Sequence, residues 1–113
     1  MSTPHFLAVV RLAFEPSWLA LSREQRRGHA DQVAAICARH PAVAIRWFDA
    51  DALGAGYTDF VTCEFADLVA YHFLWEELRD TELFSRPLVR LCDTTLGIER
   101  GYEAYEARVE SAP

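Results

Sequence analysis

The sequence predicts an α+β fold in which one four-stranded antiparallel sheet carries two helices on a single face, with a further helix at the C-terminus. The first observation behind this is the order of hydrophobic periods: strand, helix, strand, strand, helix, strand, then a last helical pattern. That order is the split βαβ arrangement of a ferredoxin-like sandwich, βαββαβ, and right-handed crossovers put both main helices on the same side of the sheet. The second observation is that the first two strands are apolar on both faces. Phe6, Ala8, Val10 and Leu12 oppose Leu7 and Val9, and Val43, Ile45 and Trp47 oppose Ala44 and Phe48. The 113-residue chain fits a single domain, residues 1–113, and has no second sheet to cover the outer face. A homodimer pairing sheet to sheet, a dimeric α/β barrel, is the expected solution.

The elements follow in order. Residues 5–13, HFLAVVRLA, are a continuous β-forming run too short for a good helix. Residues 14–21 form a connection broken by Pro16. Ser22 and Gln25 make a capping-box pattern that opens a helix, and Pro41 stops it. Its apolar stripe is Ala30, Val33, Ala34 and Cys37, with Ile36 beside it. Residues 43–50 and 57–65 read as two strands joined by a turn over 51–56, where DALGAG has turn composition. Asp67 caps the second main helix, residues 80–86 read as a loop, and Pro87 introduces the fourth strand. Gly97 is expected to begin the last helix, whose Ile98, Tyr102, Tyr105 and Val109 share a face. Residues 111–113 are expected to fray.

Composition removes whole classes of function. The net charge is -6 and all eleven basic residues are Arg. An acidic chain lacks the basic face that nucleic acid or an anionic membrane requires, and a chain without Lys cannot form a lysine Schiff base. Cys37, Cys63 and Cys92 are odd in number, far apart and set in apolar segments, so they read as small buried hydrophobes. The opening residues lack a leader pattern and no run approaches a membrane-spanning length, so a cytoplasmic protein is expected. No metal is expected. Asp49, Asp51 and Gly54 look like part of a calcium loop, but the twelfth position from Asp49 is Phe60, and His29 and His40 have no partner at zinc spacing. Phosphate-loop, dinucleotide and nucleophile-elbow fingerprints are lacking too.

The candidate site is the second main helix. Leu68, Tyr71, His72, Trp75, Leu78 and Arg79 recur at i, i+3, i+4, i+7 spacing, a face half apolar and half functional. Histidine as a residue type changes charge near neutrality, so His72 suits either proton transfer or ligation of haem iron; a histidine satisfied by a backbone carbonyl would have the same spacing. Tyr71 and Trp75 would be aromatic walls, with Arg79 or Arg46 as the polar anchor. Arg79 equally complements the helix dipole, and Arg46, in an apolar strand, equally needs an ion-pair partner. Trp18, leading into the first main helix, would close one end of the pocket.

Three segments, WLALSREQR (residues 18–26), RWFDADA (46–52) and LRDTELFSRP (78–87), resemble the darcynin family of small bacterial proteins in the same order along nearly the whole chain. The resemblance implies a dimeric α/β-barrel fold. The wider group with that fold includes cofactor-free monooxygenases, polyketide cyclases, lactone isomerases and haem-binding enzymes, an association by fold alone. The leading expectation is an enzyme for oxygenation, cyclisation or isomerisation of a small aromatic or polycyclic molecule without a cofactor, with its pocket between the second main helix and the sheet. The alternatives are haem with His72 as axial ligand and a non-catalytic small-molecule binding module.

Overall fold

The structure, a computed structural model, describes residues 3–53 and 56–112. Its elements are β1 (Phe6–Phe14), α1 (Pro16–Leu19), α2 (Arg23–Ala38), β2 (Val43–Asp49), β3 (Asp59–Phe65), α3 (Leu68–Arg79), α4 (Glu82–Ser85), β4 (Val89–Ile98) and α5 (Gly101–Ser111). The strands form one antiparallel sheet in the order β2-β3-β1-β4, the ferredoxin-like topology. Of the expected 51–56 turn, Gly54 and Ala55 lie outside the described residues, as does Pro113 of the expected frayed end.

The two central strands carry the core. Ala8, Val10 and Leu12 of β1 and Val61, Cys63 and Phe65 of β3 are almost fully buried, and alternation sends their neighbours to the other face. α3 covers them with Leu74, Trp75 and Leu78. Asp67 caps α3, its Oδ1 accepting from the N–H groups of Val69 (2.9 Å) and Ala70 (3.2 Å), an arrangement that contributes about 1 kcal/mol. α2 opens on the expected capping box: Ser22 Oγ accepts from Gln25 N–H and Gln25 Oε1 accepts from Ser22 N–H.

Three segments differ from expectation. The 14–21 connection contains the short helix α1, with Pro16 in its first turn where its missing N–H costs nothing. The 80–86 stretch contains a short helix, because Leu83 has a core position and Thr81 turns the chain by donating from Oγ1 to the Leu78 carbonyl (2.6 Å). The last helix begins at Gly101, not Gly97. Gly97 pairs with Leu7 in the β1–β4 ladder, and Glu99 N–H donates to His5 O (2.8 Å), so pairing outlasts the sequence signal for a turn. The β1–β4 register slips by one residue between Arg11 and Leu12, opposite Cys92.

Among the described residues, no helix covers the outer face of the sheet. Arg11 donates from Nη1 to Asp93 Oδ1 (2.8 Å) and Thr95 Oγ1 (3.2 Å), and the Arg46 guanidinium lies over the Phe48 ring at 5.3 Å. Leu7 remains 40% exposed there.

α2 reaches full burial with Ile36 alone and is tied to α3 at its C-terminal end. Arg39 pairs with Glu77, and His40 Nε2 lies 2.7 Å from Glu77 Oε1. His40 and then Arg39 hold the Glu77 carboxyl below its ordinary value. A depressed carboxylate contributes stability that is present above the unfolded-state value and lost as pH falls through the folded one. Glu77→Gln should therefore lower Tm at pH 7, and the difference from wild type should shrink away as the pH is lowered through the acid range in thermal melts. An undiminished difference in acid would show that the contact is not ionic.

Candidate functional site

A cavity of about 670 Å³ separates α2 from the sheet. It exists because the α2 stripe facing the strands is built of small side chains, Ala30, Val33, Ala34 and Cys37, which do not reach the floor formed by Phe14, Ile45 and Trp47. Trp18 and Leu19 of α1 close one end, where the Trp18 ring sits 4.9 Å from that of Phe14 and 6.0 Å from that of His29. Leu83 of α4 completes the apolar wall.

Part of the lining is polar and acidic. Asp49, Asp51, Thr58 and Asp59 make up that part. Asp49 and Asp59 are cross-strand partners in the β2–β3 register, so their side chains share the inner face. Asp59 is 7% exposed, and its Oδ2 accepts from Trp47 Nε1 (3.0 Å). Its carboxyl is raised above the ordinary aspartate value, by burial first and also by Asp49 beside it, while hydrogen bonds from Thr58 and Trp47 work in the opposite sense. Thr58 is fixed by three hydrogen bonds: its N–H donates to Leu12 O (2.9 Å), its carbonyl accepts from Ala50 N–H (2.7 Å), and its Oγ1 accepts from Phe14 N–H (2.9 Å). The acidic part therefore sits on rigid backbone. Burial pushes the Cys37 thiol up, which keeps it protonated and a poor nucleophile.

The residues expected to form the site lie in four places. Trp18 lines the large cavity. Tyr71 is stacked on Phe65 at 4.4 Å, its hydroxyl pushed up to about 12 by burial. Trp75 is buried edge-on to Phe84, ring centroids 5.9 Å apart. His72 is exposed at the side of α3, its ring centroid 6.1 Å from that of Phe73. Arg79 is exposed, pairs with Glu76 at 3.5 Å, and lines a smaller cavity of about 440 Å³ with Phe84, Pro87, Val89 and Leu91. Arg46 is on the outer sheet face, across the sheet from the large cavity. The buried arc of α3 runs through Tyr71, Leu74, Trp75 and Leu78, which leaves His72 and Arg79 at its solvent edge.

Asp59 and Trp47 were not among the expected site residues. The signal available for them was the pairing of residues 43–50 with 57–65, which brings two aspartates opposite each other on a face otherwise made of Val, Ile, Trp, Cys and Phe.

Comparison with known proteins gives a family and a fold. The family model described as Darcynin, domain of unknown function, matches residues 2–112. Darcynin 1 of Acinetobacter baumannii is 31% identical over 90 residues, 79% of this chain and 100% of that protein. Darcynin of Chromobacterium violaceum is 35% identical over 74 residues, 66% of this chain and 94% of that one. Among solved structures, a mutant chlorite dismutase from Candidatus Nitrospira defluvii superposes with a TM-score of 0.76 at 10% identity, covering 87% of this chain and 41% of that one. The same enzyme in complex with imidazole gives 0.75 at 10% identity, with 83% and 39% covered. This chain thus spans about two fifths of the chlorite dismutase chains, and at that identity the likeness is one of fold. Matched along almost its whole length, the chain belongs to the darcynin family.

Proposed function

We propose that the α2–sheet cavity binds a small, uncharged, ring-containing molecule with one carbonyl or hydroxyl oxygen, and that Asp59 and Asp49 move a proton on it. The observation that carries this reading is a buried carboxyl of raised pKa in the lining of an apolar cavity, beside a second carboxylate. Two carboxyls in unequal surroundings divide the roles of acid and base. Asp59, the more buried of the two, is the acid and passes its proton to the ligand's carbonyl oxygen. Asp49, the more exposed, removes a proton from the adjacent carbon to give the enol, and return of a proton at another carbon completes an isomerisation or sets up a ring closure. This keeps the cofactor-free isomerisation or cyclisation expected from the sequence and moves its chemistry from His72 to the aspartates. The site, lined by residues of a single chain, would act in each protomer of a homodimer.

Haem fits this site poorly. His72 is exposed on α3 and lines neither cavity, while the large cavity offers carboxylates, a hydroxyl and a protonated thiol. No step is assigned to haem.

Trp18 and Trp47 both line the cavity, so binding is readable in intrinsic fluorescence. Titration with 2-naphthol should give a saturable change, at least tenfold weaker with 1-naphthoate, whose charge opposes Asp49, Asp51 and Asp59. Val33→Trp, which fills the cavity, should abolish the change. A flat titration, or equal response of wild type and Val33→Trp, refutes the site, and a hemin titration giving a Soret band lost in His72→Ala would replace this reading with haem ligation.

A further inference from the structure

We infer that α5 is an exchanged arm, and that its occupancy site is the open groove between α3 and β4 of a second copy of this chain. α5 buries none of its residues, and Tyr102, Tyr105 and Val109, 72%, 64% and 54% exposed, form one apolar stripe along it. The radius of gyration is 17.0 Å, against about 13 Å for a compact chain of this length, because the helix extends away from the sheet. An 11-residue helix without a packing partner is marginal in water, so this segment needs a surface to bury its stripe.

The same chain presents that surface. Leu96 and Ile98 pair with Ala8 and Phe6, so they lie on the inner face of the sheet, yet they are 48% and 54% exposed. α3 sits over the central strands and leaves this half of β4 bare. Glu76 and Arg79 of α3 share a cavity with Leu91, and helical spacing carries that side of α3 back through His72 to Leu68, itself 50% exposed. The groove therefore has one apolar wall and one mixed wall, and it runs beside the strand from which α5 departs.

A chain cannot fill its own groove. Two residues, Glu99 and Arg100, separate Ile98 from Gly101. Glu99 still belongs to the ladder through its bond to His5, and Arg100 is in the left-handed region at φ 51, directing α5 away from the sheet. Gly101 is pressed against Ile98: a Cβ there would lie 3.3 Å from Ile98 Cβ. A two-residue link leaves no length to reverse over the inner face. Exchange between two copies satisfies both arms and both grooves under a single two-fold axis, with no new surface required. Two tyrosines and a valine per arm, with the groove residues they cover, bring the exchanged area to roughly the 1,200 Å² at which stable interfaces begin.

The test is sedimentation velocity on the full chain. Wild type should be dimeric, with Kd about 1 µM or tighter. Tyr105→Asp (arm) and Leu96→Asp (groove), both at exposed positions and checked for folding by circular dichroism, should each weaken the dimer about 100-fold, because each acts twice. Mixing the two variants should restore association about tenfold over either alone, since one intact arm then meets one intact groove. A monomeric wild type, variants that dimerise like wild type, or a mixture no tighter than its components would each overturn the exchange. The last of these would point to pairing through the open sheet face or between the arms themselves.

Discussion

Leu78→Ala should lower the unfolding free energy by about 3–5 kcal/mol, measured as a fall in urea midpoint at constant m-value. Leu78 is fully buried on α3, and its carbonyl accepts the Thr81 hydroxyl that turns the chain into α4. Truncation removes apolar contact and opens a cavity beneath the point where two helices meet the sheet. A chain of this size has a total stability of about 5–15 kcal/mol, so the loss is a large part of the whole. A cost under about 1 kcal/mol would mean that α3 is not a structural wall of the core.

Asp59→Asn is the second large effect, and it separates stability from function. Asparagine can still accept from Trp47 Nε1 but cannot supply or hold a proton. Deuterium incorporation from D2O into 2-tetralone, a bicyclic ketone with acidic α-protons, should fall about 10²-fold or more, while 2-naphthol binding stays close to wild type. Stability should move the other way. The Asp59 carboxyl is raised, so the native state binds its proton more tightly than the unfolded state. Wild type is then destabilised as pH rises from the unfolded-state value, about 3.9, through the folded one, and the deficit persists above it. The asparagine variant should melt higher at pH 7, its advantage vanishing near pH 3. Exchange surviving in the variant would remove Asp59 from the proposed chemistry, and a lower melting point at pH 7 would mean that its charge is fully answered in the fold.

The fold was legible because local signals agreed with one another. Ser22 with Gln25, Asp67 at the head of α3, and the alternation of residues 43–50 and 57–65 each name an element and its boundary. The site was less legible. The polar-aromatic composition of α3 drew attention to His72, but composition does not say which arc of a helix meets the core. Leu74 and Tyr71 define that arc, and rotation by less than a quarter turn leaves His72 outside it. The α2 stripe is plain in the sequence, yet its small side chains leave a space instead of a packed contact, and a cavity depends on distances between elements that periodicity does not encode. Asp59 was visible as a charge in a strand; its cross-strand partner emerges once the hairpin register is fixed.

The slip opposite Cys92 has an effect on how β4 can vary. Leu91 pairs with Leu12 and Asp93 with Arg11, so Cys92 is the extra residue that reverses the phase of alternation midway along the strand. Before it, odd-numbered positions face the helices; after it, Thr94, Leu96 and Ile98 do. With that residue deleted, Leu91 and Asp93 would become neighbours in an unbroken ladder, Asp93 still opposite Arg11 on the outer face and Leu96 and Ile98 still inward. β4 is thus two short strands of opposite phase spliced at Cys92, and a length change anywhere else in it would scramble one half while sparing the other.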